Sequence, residues 1–417
     1  MILRKDLMYM TSSTDDSSEP NNYWKRNLVV LWFSTFVSGI GFSMITPFMP
    51  LYINQLGNFT KSQLVIWNGL AFSSTFLVMA IISPIWGKIA DRRGRKLMLI
   101  RASLGMAIVI FLQAFVTAPW QLVVLRLLQG VFSGFVSNSN TLIASTAPRS
   151  ESGKALGTLN TGVISGTLLG PLVGGVIAQY FGYRIPFMIT GSLLFTAFIL
   201  VTIFIKEDFK PIPKGEEEST KEIFHKLKNP NLILAMFVTT MIIQASNNSI
   251  NPIISLYVKQ LMHGSGQVTL IAGVVAAMPG IANIIAAPRF GALGDKIGTG
   301  KILIGGLIFA VLVYIPQAFV TNVWQLAALR FLVGISDACL VPQVQTILAK
   351  YTDPKYTGRI FGYNQSFQSV GNVCGPLLGS SISGVLSYSA VFLSTSGLAL
   401  INFIWVSSHL KSKKAKK

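Results

Sequence analysis

Long apolar runs divided by short polar breaks dominate this chain of 417 residues. A helix needs about 20 apolar residues to cross the ~30 Å hydrocarbon layer of a bilayer. Runs of that length occur twelve times, near 27–54, 63–86, 97–117, 120–145, 155–181, 184–205, 231–260, 268–289, 302–320, 323–349, 358–386 and 388–409. Each is predicted to be a spanning helix, so the expected fold class is an all-α membrane protein. An even number of spans returns both termini to one side.

The breaks between the runs repeat. Gly87 to Gly94 (Gly-Lys-Ile-Ala-Asp-Arg-Arg-Gly) is answered 204 residues later by Gly291 to Gly298 (Gly-Ala-Leu-Gly-Asp-Lys-Ile-Gly), and Trp120 to Gly130 is answered by Trp324 to Gly334. Gly170-Pro171 returns as Gly375-Pro376, and Pro47 to Leu56 as Pro252 to Leu261. The repeat predicts twelve transmembrane helices in two pseudo-symmetric six-helix bundles. Many secondary transporters are built this way, with the substrate site at the interface between the halves.

Charge changes the picture in one respect. Charged residues make up 12% of the chain, about half the share usual in a soluble domain. The formal charge of +19 would suit a nucleic-acid binder if it were spread over a surface. Instead, 29 of the 34 Lys and Arg fall in or beside the two tails and the loops after the second, fourth, sixth, eighth and tenth spans. Lys61, Arg184 and Lys259 lie on the other side, and Arg126 and Arg330 lie inside spans. By the positive-inside rule both termini are cytoplasmic, and the charge needs no nucleic acid to explain it. Cys339 and Cys374 sit within the tenth and eleventh spans, so no disulfide framework is indicated.

The expected organisation is a disordered tail over 1–22, a six-helix bundle over 23–205, a linker over 206–230, a second bundle over 231–410 and a basic tail over 411–417. Within the linker, Ser219 to Glu222 has the spacing of a capping box, with Ile223, Phe224 and Leu227 as an apolar stripe behind it. A short surface helix is predicted there, on the cytoplasmic face.

Ionised side chains inside hydrocarbon cost at least about 2.5–3.5 kcal/mol on insertion scales and mark functional sites. Of fifteen acidic residues, fourteen lie in tails, loops or span ends, which leaves Asp337 as the carboxylate at membrane depth. It follows Arg330 by seven residues, so both side chains share one helix face. Burial and a nearby cation act in opposite directions on a carboxyl proton, and a group alternating between such settings can carry one. The alternative is a fixed partner of Arg330 or of a backbone group. Arg126 holds the matching place in the fourth span, where it either takes a functional part or simply snorkels or binds neighbouring carbonyls without moving.

Gly162, Gly166, Gly170 and Gly174 recur every four residues in the fifth span, with Pro171 in the run and Gly175 after it; Gly371, Gly375 and Gly379 with Pro376 repeat this in the eleventh. Such ridges let another helix approach closely, and a smooth, kinked seam between the halves could rock. Gln244, Asn248 and Asn251, with Asn247 alongside, form an amide stripe in the seventh span, and Asn364, Gln368 and Asn372 form another in the eleventh. Amides facing lipid are costly, so the stripes face either a watery central cavity or each other. Phe42, Met44 and Phe367 are candidate apolar contacts for a substrate. Asp91, in the basic segment from Gly87 to Lys96, is placed to meet the positive N-terminus of another helix in one conformation and leave it in the other.

At these residues the chain resembles the major facilitator superfamily and, within it, the twelve-spanning drug:proton antiporters. Gly87, Asp91, Arg92, Gly94, Arg95 and Lys96 match the superfamily's signature between the second and third spans, and the copy around Asp295 matches in part. Leu122, Arg126, Gln129 and Gly130 match its fourth-span motif. Gly166, Gly170, Pro171, Gly174 and Gly175 match the fifth-span motif associated with antiporters. The resemblance implies a gate at Asp91 and its arginines, proton coupling through Arg126, and a Gly-Pro seam that controls leak and exchange. Some members carry a drug-reading acid in the first span, and this chain has none there, so Asp337 would have to serve coupling, cation recognition or both.

The expected function is export of amphipathic, cationic or zwitterionic drugs in exchange for protons, by a monomer in the plasma or inner membrane, with no cofactor or metal. The alternative is export of a metabolite, sugar or lipid on the same fold. An enzyme is poorly supported, since His225, His263 and His409 lie in loops or at a span end and no acid pair exists in the core. An ATP-driven pump is disfavoured because Gly300-Lys301 is followed by Ile302 rather than Ser or Thr.

Overall fold

The computed structural model describes residues 23–148, 151–208, 227, 229–352 and 357–411. The tail over 1–22, the linker helix expected after Ser219, the tail from 412 onward and the side chains of Asp91 and Asp295 lie outside the described residues. The described helices are α1 (Tyr23–Ile45), α2 (Met49–Gln55), α3 (Lys61–Arg93), α4 (Arg95–Gln113), α5 (Pro119–Val131), α6 (Phe135–Thr146), α7 (Ser152–Phe181), α8 (Arg184–Phe204), α9 (Pro230–Ser249), α10 (Ile254–Leu261), α11 (Val268–Ile297), α12 (Thr299–Gln317), α13 (Val323–Tyr351), α14 (Thr357–Val385) and α15 (Tyr388–Lys411). They make twelve crossings, six in each half. Eleven crossings are long and apolar enough to span a bilayer by length and composition. The other, α14, carries the amide stripe, which lowers its hydropathy, and it runs alongside α3 and α9.

Three spans that the sequence predicts as single helices are broken. Pro47 and Pro50 lack the N–H a continuous ladder needs and divide α1 from α2; Pro252 does the same between α9 and α10. Gly134 divides α5 from α6 with a left-handed backbone at φ 103°. The carbonyls freed at that break are satisfied from neighbouring helices: Arg101 Nη2 donates to Ser133 O at 2.7 Å and Trp86 Nε1 donates to Val131 O at 2.9 Å. The Arg101 guanidinium also stacks 3.7 Å above the Trp86 ring. Irregular backbone at membrane depth persists when it is repaired in this way. In the opposite sense, the segment after the second span is less of a loop than expected. Residues 87–93 continue α3, and Gly94 alone turns the chain into α4 at φ 91°; Gly298 repeats this between α11 and α12 at φ 104°.

The glycine ridges pack inside the halves rather than between them, which corrects the expected position of the seam. A Cβ added at Gly162, Gly166, Gly170 or Gly174 would strike α1, at Trp32 O, Phe36 O, Ser43 Oγ and Met44 O respectively. In the second half, Gly371, Gly375 and Gly379 lie over Met241 O, Ala245 O and Ser249 O of α9. Glycines and carbonyls share the four-residue spacing, so one smooth ridge rests on a row of backbone oxygens and lets weak Cα–H contacts form. Only the end of the run reaches across: Gly175 faces Thr269 O and Gly273 of α11, and Gly273 faces Pro171 O.

Two seams join the halves, α3 against α14 and α7 against α11. Their bonds lie from mid-depth toward the charge-poor end. Ser73 Oγ donates to Val373 O at 2.9 Å and Ser62 Oγ to Gly384 O at 3.2 Å, while Gln179 Oε1 accepts from Thr269 N at 3.2 Å. Lys61 Nζ sits 4.6 Å from the centroid of the Tyr388 ring. The seams open toward the basic end. Gly69 packs on Ser380, but Gly87 and Gly362, each eighteen residues away toward that end, meet nothing within 4 Å among the described residues. Gly175 packs on Gly273, but Gly157 and Gly291, again eighteen residues away, also meet nothing among the described residues. Eighteen residues are five turns of a regular helix, so each open glycine lies on the face of its packed partner. The halves therefore splay, closed at the charge-poor end and open at the basic end.

Gly166→Ala should lower stability by about 1–3 kcal/mol, since the added methyl overpacks a backbone contact. Gly362→Ala should leave it unchanged or raise it by up to ~1 kcal/mol through helix propensity. Melting of the detergent-solubilised protein compares the two; equal losses would remove the distinction between packed and open glycines.

Candidate translocation and coupling site

The polar groups at membrane depth form one cluster in each half. In the first, Arg126 is buried and its Nη1 donates to Gln129 Oε1 at 3.4 Å, which also accepts from Gln113 Nε2 at 3.0 Å. Arg126 Nη2 lies 3.5 Å from Met49 Sδ at the start of α2, and Arg126 O accepts from Thr75 Oγ1 at 3.0 Å. Tyr52 OH donates to Gln113 O at 2.8 Å. The guanidinium is thus held by an amide and a thioether, and no carboxylate pairs with it among the described residues.

The second half repeats part of this and changes the rest. Tyr257 OH donates to Gln317 O at 3.2 Å, the counterpart of the Tyr52 bond. Val333 stands where Gln129 stood, and Arg330, also buried, has Nε and Nη1 without a hydrogen-bond partner among the described residues. Asp337 shares the helix with Arg330 but bonds elsewhere: Asn247 Nδ2 of α9 donates to Asp337 Oδ1 at 3.0 Å, and Tyr314 OH of α12 donates to Asn247 Oδ1 at 2.9 Å. A chain of three side chains from three helices thus ends on the carboxylate, and the fixed Arg330 partner that the sequence allowed for does not appear. Sequence reasoning placed Asn247 beside the amide stripe and passed over Tyr314. The only signal for Tyr314 is a tyrosine within an apolar span, and its distance from Asp337 along the chain hides the contact.

The amide stripes divide between the two roles considered for them. Asn248 Nδ2 donates to Asn372 Oδ1 at 2.9 Å and Asn251 Nδ2 to Asn248 Oδ1 at 2.9 Å, so these three bind one another and tie α9 to α14. Gln244 and Gln368 are half-buried, and Asn364 is buried with Oδ1 unpartnered among the described residues. Among the apolar candidates, Phe42 is half-buried against Phe76 at 6.3 Å, Met44 is fully buried beneath Gly174, and Phe367 packs on Phe237 at 5.4 Å within the second half.

At the basic end, Gly87, Arg92 and Arg93 are exposed. The N-terminus of α4 is held by a residue the sequence assigned to the linker. Glu207 accepts from Arg95 N at 2.8 Å through Oε1 and from Lys96 N at 2.7 Å through Oε2. Next to it, Asn27 of α1 exchanges two bonds with the Lys206 backbone, at 2.7 and 3.1 Å. Residues 206–208 therefore dock on the first half, and the carboxylate satisfies two orphan donors while complementing the helix dipole. Among the described residues, no three of His, Cys, Asp and Glu gather as a metal ion would require.

Two splayed six-helix halves with polar clusters at mid-depth define a multi-pass membrane carrier, and comparison with known proteins agrees. The Major Facilitator Superfamily model matches residues 31–274 and 236–417. The chain belongs to that superfamily. The multidrug resistance protein MdtG of Salmonella arizonae is 50% identical over 391 residues, 94% of this chain and 97% of its own length. MdtG of Escherichia fergusonii is 48% identical over 402 residues, covering 96% and 98%. A solved bacterial homolog of the human lysosomal transporter Spinster, in an inward-facing and unoccupied conformation, shares the fold with a TM-score of 0.77 at 14% identity, over 94% of this chain and 98% of its own.

If Asn247 links Tyr314 to Asp337, the effects of Asn247→Leu and Tyr314→Phe on stability should not add. Their coupling energy should fall near 0.6–1.7 kcal/mol, the usual size and upper limit for hydrogen bonds within membrane bundles. Unfolding of the two single variants and the double variant measures it, and a coupling of zero would mean that the bonds act independently.

Proposed function

We propose that the protein exports amphipathic, cationic or zwitterionic drugs from the cytoplasm in exchange for protons, by alternating access. Asp337 carries this reading. It is an acid at membrane depth, held by the neutral amide of Asn247 from α9 and, among the described residues, paired with no guanidinium. Such a carboxyl can exist charged or neutral without breaking an ion pair, as a proton carrier must. Arg330, two turns away on the same helix, supplies a positive field without a direct bond. The MdtG relatives, named as multidrug resistance proteins, support drugs as the substrate class.

The positive-inside rule assigns the basic end to the cytoplasm, so the splayed halves correspond to an inward-open state. A drug would enter the cleft between α3 and α14 on one side and α7 and α11 on the other. Closing the basic end brings the free faces at Gly87, Gly157, Gly291 and Gly362 together, where the lack of side chains permits close approach. Asp91, Arg92, Gly94, Arg95, Lys96 and Asp295 would then form the gate, with Glu207 fixing the first half's portion of it. Arg126 would tune the first half's share of the cavity. The roles of Phe42, Gln244, Asn364 and Gln368 in drug contact belong to this proposal as well.

In reconstituted vesicles under an imposed pH gradient, lipophilic cations should collapse the gradient with the parent protein and leave it at background with Asp337→Asn. If parent and variant respond alike, coupling lies elsewhere; if neither responds, drug:proton exchange is rejected. A second test addresses alternating access. A Cβ on Gly384 would lie 4.0 Å from Ser62 Cα, within reach of a disulfide. In a background of Cys339→Ser and Cys374→Ser, the Ser62→Cys/Gly384→Cys protein should stop transporting when oxidised and recover on reduction. Transport that continues with the bond complete would show that the charge-poor end need not open.

A further inference from the structure

Beside Asp337, among α9, α12, α13 and α15, lies a narrow gap in which the centre of a water molecule could range over about 10 Å³. That is close to the least space that holds one water. Much of the wall is aliphatic, but Ser246, Asn247, Tyr314, Asp337 and Asn402 also line it. Two of these carry unanswered polar atoms. Ser246 Oγ and Asn402 Oδ1 are buried without a hydrogen-bond partner among the described residues, on side chains only 5% and 1% exposed. The other end of the Asn402 amide is engaged, with Nδ2 donating to Thr239 O at 3.4 Å. Its Oδ1 is therefore left as an acceptor facing low-dielectric surroundings, where an unmade bond is costly.

We propose that this gap holds one water molecule that solvates Asp337 in both of its protonation states, with Asn402 and Ser246 as the positioning residues that keep it there. The inference rests on the reading of Asp337 as the coupling carboxylate. An amide oxygen can only accept, whereas a serine hydroxyl rotates and can donate or accept. With Asp337 ionised, the water donates one hydrogen to the carboxylate and the other to Asn402 Oδ1, and its oxygen accepts from the Ser246 hydroxyl. With Asp337 protonated, the carboxyl donates to the water oxygen, and the water donates to Asn402 Oδ1 and Ser246 Oγ. The water, the carboxyl group and Asn402 Oδ1 are paired in both states, and the serine hydroxyl is the part that turns. The gap thus lets an acid at membrane depth gain and lose a proton while its carboxyl group stays hydrogen-bonded.

The charged and titratable groups around this acid are few. Arg330 and Cys339 share its helix, and Tyr314 faces it from α12; α9 and α15 present the neutral Ser246, Asn247 and Asn402. The pH dependence of exchange should therefore report on the water's partners with little interference from other acids or bases.

The test uses the full chain in vesicles and measures drug-driven proton flux against pH for the parent, Ser246→Ala, Asn402→Leu and Asp337→Asn. Infrared difference spectra supply the carboxyl stretch of protonated Asp337, which shifts when its hydrogen-bond partner is lost. In Asn402→Leu, whose apolar side chain excludes the water, the pH of half-maximal flux should rise by about half a unit or more, because the charged form loses solvation. The carboxyl band should move toward that of a free acid. Ser246→Ala should do the same to a smaller extent, and it decides the question if Asn402→Leu does not fold. Unchanged profiles and bands in both variants, with Asp337→Asn inactive, would overturn the water while leaving Asp337 as the coupling acid. Full exchange by Asp337→Asn would overturn both.

Discussion

The close approach of backbone to backbone within each half is what the rest of the structure depends on. Apolar side chains gain nothing by leaving lipid for one another, so bundles in a bilayer rely on tight packing and hydrogen bonds. Here the glycines of α7 lie on the carbonyls of α1, and those of α14 lie on α9, each along several turns. A contact made by backbone atoms cannot adjust by changing a rotamer. Each half is fixed along this pair of helices, and freedom is left to the two seams between halves, where the packing is tight at one end and, among the described residues, open at the other. The fifth-span glycine motif therefore makes the first half rigid, and the proposed motion would take place at the seams.

Duplication explains the frame, and divergence explains the chemistry. The same tyrosine-to-carbonyl bond recurs at Tyr52 and Tyr257, and a buried arginine recurs at Arg126 and Arg330. Around these fixed points the halves part. Phe42, Ile110 and Ser133 in the first half correspond to Asn247, Tyr314 and Asp337 in the second, at repeat offsets of 205, 204 and 204 residues. All three members of the hydrogen-bonded chain are thus found in the second half and not at the matching positions of the first. The first half keeps its arginine bonded to Gln129, while the second replaces that glutamine with Val333 and leaves the guanidinium as a field source near an acid. One half holds its charge on an amide, and in the proposed mechanism the other holds the charge that changes.

Much of this was legible in the sequence, and the remainder was hidden for physical reasons. Run length gave the crossings, because the thickness of hydrocarbon sets it, and the repeated breaks gave the two bundles. Asp337 stood out because an ionised acid at that depth is costly and needs either a fixed partner or a function. Pairing across helices was less accessible. The Gly162–Gly174 ridge showed that something approaches closely, but a ridge without side chains carries no signature of its partner, and the expected place between halves was wrong. Asn247 and Asn248 looked like members of one stripe. They point to different helices, because neighbouring residues on a helix are about 100° apart. Glu207 was read as linker because composition cannot tell a solvated acid from one that folds back onto a helix N-terminus.

That divergence between Asn247 and Asn248 connects the acid to the seam. Asn247 bonds Asp337 on one side of α9, and Asn248, the next residue, bonds Asn372 of α14. Val373 follows Asn372, and its carbonyl accepts from Ser73 in the opposite half. Two peptide steps and three hydrogen bonds therefore lead from the carboxylate to the contact between halves, through side chains that have few alternative partners in an apolar setting. If neutralising Asp337 weakens its hold on Asn247 and lets α9 turn slightly, Asn248 moves with it, and α14 is drawn at the level where it meets α3. A helix so tightly seated on its glycine-lined neighbour cannot absorb that turn by itself, so α9 and α14 shift together. Rigidity within the half is what would carry a change at one acid as far as the seam.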